Sequence, residues 1–328
     1  MTTSLGGLLA DVSGNRDDEI LKFALQGLER KAAGDGQAYQ EIVEALDRLK
    51  DPQSPVGLIN ALARCTGSLR LKPHKALISS VLNRGWSGDE PLAAAAELFA
   101  VNAVSVNAPD MLGPCLSALV AQFSVHRAAP LPHQVASSAP APSHEELQRA
   151  QRVHRAIRRV LETVPTGAMT FMELLSHSFP HRRKEVAVQT CFMTNAVAVL
   201  DYFPHLLKPI LSLLIDKLIR IDVEIVPVEA LDDDVPGEVF DMEEEEEAGG
   251  AASKEQQENA LRVEKLDAMF MLMLSFLHTL FSSSSSSSAG GDAAFGVLLQ
   301  IFDTDVLTTF RSKFTQFVIF YACGFKYH

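Results

Sequence analysis

Apolar positions recur at steps of three and four along most of the chain, a spacing that lines one face of an α-helix. Val186, Thr190, Met193, Val197 and Leu200 make one such stripe. Leu207, Ile210, Leu211, Leu214, Leu218 and Ile221 make the next, and Val153, Ile157, Val160, Leu161 and Val164 lie upstream. Ser143 and Glu146 stand in the S-x-x-E arrangement that satisfies two free backbone N–H groups at a helix start, so a helix is predicted to begin there. Alternating strand patterns are absent; Val223–Val228 alone has strand-like composition, and Pro227 weakens it.

Prolines mark the helix boundaries. Pro73, Pro91, Pro109, Pro165 and Pro204 each precede or open an apolar-periodic segment, where a missing N–H costs nothing. A shift of 39 residues carries Pro165 onto Pro204, Val160 onto Val199, Val164 onto Phe203 and Leu175 onto Leu214. Helix pairs with a proline corner recurring at about 40 residues predict an all-α fold, a HEAT/armadillo-like α-solenoid of antiparallel helix pairs. The segment around Pro109 fits the same frame, with Leu119 and Phe123 standing as Leu175 and Phe179 do.

Composition divides the chain further. The expected organisation is N-terminal helical repeats over 1–126, a Pro/Ala/Ser-rich linker over 127–142 and repeats of about 39 residues over 143–222. An acidic, disordered insert is expected over 223–253, then a further repeat over 254–328 with a serine-rich loop at 282–291. The last apolar segment, from Phe317 to Phe325, is followed by no polar-faced cap, so its Phe317, Val318, Ile319, Phe320, Tyr321 and Phe325 are expected to await a following repeat.

The net charge of −12 is concentrated rather than spread. Asp222 to Glu247 holds 13 acidic residues and no Lys or Arg; removing them leaves 28 acids against 29 bases. Bulk charge therefore gives no reason to expect much direct nucleic-acid binding. Cys65, Cys115, Cys191 and Cys323 are far apart without a CxxC pair, which predicts free thiols in a reducing compartment. No signal-peptide pattern opens the chain, and the charge-free run Ala268–Phe281 is short for a bilayer, so no membrane role is expected.

Catalytic signatures are missing: there is no P-loop, no G-x-G-x-x-G and no H-E-x-x-H. Gly85-Trp86-Ser87-Gly88-Asp89 approaches a nucleophile elbow but fails at its last glycine and lacks a parallel-sheet context. His177 and His181 are four apart, but Pro180 should end the helix at Phe179, which makes them ordinary loop histidines rather than zinc ligands. No catalytic residue, metal site or cofactor is expected. Two basic clusters stand out: Arg149, Arg152, Arg155, Arg158 and Arg159 on the polar side of the Val153–Val164 helix, and Arg182, Arg183 and Lys184 beside His181. Each reads either as a solvated face or as a site for an anionic partner, with no interleaved aromatics to suggest single-strand binding.

These residues also carry a resemblance. His154-Arg155-Ala156-Ile157-Arg158-Arg159-Val160 with Val164-Pro165, then Ser178-Phe179-Pro180, Tyr202-Phe203-Pro204 and the block Ile210–Val223, match in type and order the RNA polymerase I-specific transcription initiation factor family of the TIF-IA type. Glu264-Lys265-Leu266-Asp267 after the acidic insert and Phe320–Lys326 at the end continue the match, which spans about Gln37 to Lys326. Ala198 departs from it, standing where the family pattern has a basic residue, and family members continue through further repeats.

The resemblance implies a nuclear and nucleolar, non-enzymatic factor that binds RNA polymerase I and bridges it to promoter-bound core factor at ribosomal DNA. It implies regulation by protein kinases and phosphatases acting on serines of the N-terminal repeats, for which Ser79, Ser80 and Ser87, with Arg84 beside them, are the candidates for the polymerase contact. Two other classes compete. A generic HEAT/armadillo adaptor would need a groove of repeated Asn or Trp, and Trp86 is the sole tryptophan. A hydrolase using Ser87 would need a sheet scaffold that the pattern denies.

Overall fold

The computed structural model describes residues 16–48, 54–86, 89–129, 142–225, 245–283, 288–309 and 312–326. Every regular element among them is helical: α1 (Arg16–Ala32), α2 (Gln37–Arg48), α3 (Ser54–Arg64), α4 (Leu71–Gly85), α5 (Glu90–Val106), α6 (Ala108–Ala121), α7 (His144–Thr163), α8 (Ala168–Ser178), α9 (Val186–Ala198), α10 (Leu207–Asp222), α11 (Glu245–Ser283), α12 (Ser288–Ile301) and α13 (Phe317–Lys326). They form two compact units, one from the described residues of Met1–Ala128 and Ser143–Phe179, the other from those of Ala129–Pro142 and Pro180–His328.

In the first unit each helix packs mainly on the next one or two in sequence: α1 on α2 and α3 and, more weakly, α4; α2 on α4; α3 on α5; α4 on α5 and α6; α5 on α6 and α7; α6 on α7 and α8. Such local, staggered packing is what a helical repeat produces, because each pair buries its apolar stripe only against its neighbours. Trp86, Phe99, Phe123 and Phe171 are fully buried among these stripes. At the end of α4, Gly85 lies against α5 so closely that an added Cβ would stand 2.1 Å from the Ala96 Cβ.

The second unit is built around α9 and α10, both covered by α11. Helix α9 is buried all round from Cys191 to Val197: Met193 and Val197 of the predicted stripe are inside together with Cys191, Phe192, Asn195 and Ala196, while Val186, Thr190 and Leu200 are half-buried. It carries no charged residue between Val186 and Ala198, so nothing confines it to a surface. Gln256–Ser282 of α11 is long and apolar enough by composition to cross a bilayer. Here Leu266, Met269, Leu272, Met273 and Leu277 are buried in the unit, as in a core helix.

The proline corners repeat in detail. Val164 (φ −130°, ψ 84°) and Phe203 (φ −131°, ψ 69°) precede short 3₁₀ turns, Pro165–Gly167 and Pro204–Leu206, that run into α8 and α10. The same hydrogen bonds recur 39 residues apart: Val164 N to Val160 O (3.0 Å) with Phe203 N to Val199 O (2.9 Å), and Gly167 N to Val164 O (2.9 Å) with Leu206 N to Phe203 O (3.0 Å). The residue before proline is driven out of the α region, so the chain must turn there. The capping box forms as expected, with Ser143 N donating to Glu146 Oε2 (2.7 Å) and Glu146 N to Ser143 Oγ (3.2 Å).

The insert differs from its expectation at both ends. Asp222 is wholly buried, and its Oδ2 accepts from the N–H groups of Lys313 (2.9 Å), Phe314 (3.0 Å) and Thr315 (3.1 Å) and the hydroxyls of Ser312 and Thr315. It fixes the turn that leads into α13. Helix α11 begins at Glu245, ahead of the 254 start expected. Residues 226–244 lie outside the described residues, as do 130–141 of the linker.

The serine run is likewise narrower as a loop than 282–291, since α11 reaches Ser283 and α12 starts at Ser288; 284–287 lie outside the described residues. Val223 to Ile225 is turn and coil rather than strand. In α13, Val318 and Ile319 are already buried within the unit, beside Ile215 and Leu298. Only Phe317 and Phe320 stand exposed, edge to face at 6.0 Å, and the Phe325 side chain is outside the described set.

Candidate functional site

The serine candidates sit on α4. Ser79 is exposed, and Ser80 is half-buried with its hydroxyl donating to Asp47 Oδ1 at the end of α2 (2.9 Å). One turn on, Arg84 Nη2 donates to the Asp47 carbonyl (3.1 Å). The three residues therefore form a small polar seam where α4 meets α2, with Ser79 beside it in solvent. A phosphate on Ser80 would set about −1.5 to −2 charges against the Asp47 carboxylate and break the hydroxyl's bond.

Ser87 lies outside the described residues, and so does Gly88 of the elbow-like motif. The motif's flanks are structural. Trp86 is fully buried, and Asp89 is the N-cap of α5, accepting from Leu92 N (3.3 Å).

The long basic face of α7 is spent inside the first unit. Glu90 and Glu97, two turns apart on α5, meet arginines spaced by three and four on α7. Arg152 Nε reaches Glu90 (2.5 Å), Arg155 bridges Glu90 (2.9 Å) and Glu97 (2.7 Å), and Arg159 reaches Glu97 (2.6 Å). The Glu97 side chain is only 4% exposed, so the arginines bind an anion that has little water of its own. Burial by itself pushes the Glu90 carboxyl up, but the hydrogen bonds and charges of Arg155 and Arg152 outweigh it and hold the group below its usual range.

The hydrogen bond to Glu97 raises the Arg155 guanidinium further, against the opposing effect of burial. Arg149 and Arg158 pair within their own helix, with Glu145 (3.3 Å) and Glu162 (2.8 Å). No local pattern announces Glu90 or Glu97 as partners, since they lie about sixty residues from the arginines they bind.

The second cluster is placed differently. His181, Arg182, Arg183 and Lys184 are all exposed, on the turn that leads into α9. Arg182 pairs with Glu224, and the ammonium of Lys265 on α11 donates to the carbonyls of Arg182 and Lys184 (2.7 Å for Lys184). Lys265 is 3% exposed, and burial lowers its pKa.

The histidines near this turn are occupied. His177 Nδ1 faces the Glu173 carbonyl of its own helix (2.7 Å), and His181 Nδ1 accepts from Arg183 N (3.3 Å). Among the described residues no group of three or more His, Cys, Asp or Glu is disposed to hold a metal ion. Cys65, Cys115, Cys191 and Cys323 are free thiols, and burial pushes the Cys115 thiol up to about 12.

Comparison with known proteins gives these features a setting. The family model described as RNA polymerase I specific transcription initiation factor RRN3 matches residues 14–328. The Schizosaccharomyces pombe RNA polymerase I-specific transcription initiation factor rrn3 is 26% identical over 331 residues, 92% of this chain and 52% of that protein. The Mus musculus RNA polymerase I-specific transcription initiation factor RRN3 is 27% identical over 194 residues, 53% of this chain and 29% of that protein. The crystal structure of RNA polymerase I transcription initiation factor Rrn3 shares the fold, with a TM-score of 0.65 at 18% identity over 93% of this chain and 56% of that one. The chain thus spans about half the length of the fission-yeast relative.

Proposed function

The chain belongs to the RNA polymerase I specific transcription initiation factor family, and from that premise we propose that it binds RNA polymerase I and helps to bring it to promoter-bound core factor at ribosomal DNA. It does so by protein contact rather than by catalysis, in the nucleus and its nucleolus. The observation that carries this reading is the family match along residues 14–328, over a helical-repeat scaffold with extensive surface. Whatever a relative does through its other half is no part of the proposal.

Within this reading the polymerase contact lies on the first unit, around Ser79, Ser80, Arg84 and Ser87. Ser79 is open to a kinase, and Ser80 is tied to Asp47, so the seam holds two hydroxyls of unequal accessibility. Phosphorylation there adds negative charge and repels an acidic polymerase surface, and a phosphatase restores binding. The test is capture of purified polymerase I by Ser79→Asp/Ser80→Asp/Ser87→Asp and by the matching triple alanine variant. The aspartates should weaken capture by about 1–3 kcal/mol if the contact is desolvated, and the alanines should leave it intact. Equal capture by both at low salt removes this patch from the interface.

A further inference from the structure

We propose that the turn His181–Lys184 is a docking site for an acidic protein segment, held in its exposed shape by the buried ammonium of Lys265. The inference stands apart from the polymerase reading, since any carboxylate-rich partner segment satisfies it.

Four consecutive residues of this turn are exposed, and three of them carry full positive charge. Exposed loops of this composition are ordinarily free to move, but this one is pinned from below. Lys265 donates to the Arg182 and Lys184 carbonyls, and the Gln189 side-chain amide donates to the carbonyls of Pro180 (3.4 Å) and His181 (3.1 Å). Lys184 N closes the turn on His181 O (2.8 Å). With its carbonyls drawn inward, the turn presents its cationic side chains outward without losing much conformational entropy on binding.

The means of pinning is informative. A neutral amide could hold two carbonyls without burying a charge, as Gln189 does for the neighbouring pair. Lys265 instead places a desolvated cation beneath a turn already rich in cations, which costs stability but strengthens the positive field at the surface. Of the nearby carboxylates, Glu224 is engaged by Arg182, and Glu185 follows the turn as the N-cap position of α9. Arg183 and Lys184 have no side-chain partner among the described residues, so they are the contact groups.

The partner's chemistry follows from the extent of the site. A nucleic-acid duplex is held by a row of cations along its backbone. The longest basic row in this chain, on α7, is already paired with Glu90, Glu97, Glu145 and Glu162. One short turn without Phe, Tyr or Trp offers no stacking platform for bases. A few carboxylates on a peptide match it in size and sign.

The experiment measures fluorescence anisotropy of a labelled peptide of alternating Asp and Glu against the whole 328-residue chain, at about 50 mM salt, where exposed charges are weakly screened. A duplex DNA probe and a Gly/Ser peptide run in parallel. The acidic peptide should bind in preference to both. Arg183→Glu/Lys184→Glu should weaken it about tenfold or more with the melting temperature unchanged, whereas Arg158→Glu, the same charge change on α7, should leave it intact.

Lys265 is a positioning residue in this scheme. Lys265→Met should weaken binding although the ammonium never reaches the peptide, and Lys265→Arg, which restores a cationic donor, should recover it. Peptide binding that is absent, or unchanged in Arg183→Glu/Lys184→Glu, overturns the proposal. Tighter binding of the duplex, lost in that same variant, also overturns it by assigning the turn to nucleic acid.

Discussion

At the scale of single residues, the strongest energetic commitments are buried polar groups with one or two specific partners. Glu97 is the sharpest case, because among the described residues Arg155 and Arg159 are the cations that compensate its charge in the seam between α5 and α7. Removing both arginines leaves an uncompensated buried anion, so Arg155→Ala/Arg159→Ala should lower unfolding stability by about 3–5 kcal/mol. Adding Glu97→Gln to that double variant should recover much of the loss in urea titration, and strict additivity of the two changes would contradict the pairing.

His74 gives a pH signature. Its Nδ1 accepts from Arg70 N (2.9 Å), which requires the proton on Nε2, donated to the Leu28 carbonyl (3.1 Å). Burial lowers its pKa below 6.5, Leu28 opposes, and Arg70 and Lys31 reinforce the effect. The unfolded chain therefore binds the proton first, and this contribution to stability is complete above about 6.5 and is lost as pH falls toward the folded value. The melting temperature should drop between pH 7 and pH 5, less steeply in His74→Gln; a slope identical to wild type would show that His74 is not the group responsible. Gly85→Ala should cost roughly 1–3 kcal/mol, since the added methyl meets Ala96 on a neighbouring helix and neither backbone can yield easily.

At the scale of elements, what was legible in the sequence is what depends on near neighbours. The apolar stripe of α7, the capping box at Ser143 and the end of α8 before Pro180 all stand where local spacing puts them. Ser143→Ala should lose about 1 kcal/mol, read from the melting temperature, because one side-chain acceptor for Glu146 N disappears. Illegible were the contacts that close over sixty to ninety residues: Arg155 with Glu90, Lys265 with the Arg182–Lys184 turn, Asp222 with Thr315. Each charged partner looks locally like a solvated group, and only the folded helix stack reveals what it pairs with. The acidic run illustrates the same point, since composition makes Asp222 its first residue and Glu224 a member of a disordered insert, while packing makes them a turn anchor and the mate of Arg182.

At the scale of the whole molecule, the chain forms two helical units, and the basic row on α7 of the first is paired with carboxylates of α5 and of α7 itself. The family assignment reaches the scaffold. The α7 row is paired, Ser80 is tied to Asp47, and in the His181–Lys184 turn Arg182 pairs with Glu224 while Arg183 and Lys184 have no side-chain partner among the described residues. The central claim is that this chain recognises RNA polymerase I, and competitive capture tests it most directly. Immobilised chain is offered equal amounts of purified RNA polymerases I, II and III, and the retained subunits are identified. Retention of polymerase I well above the other two is the predicted result; retention of none, or of all three alike, would contradict it.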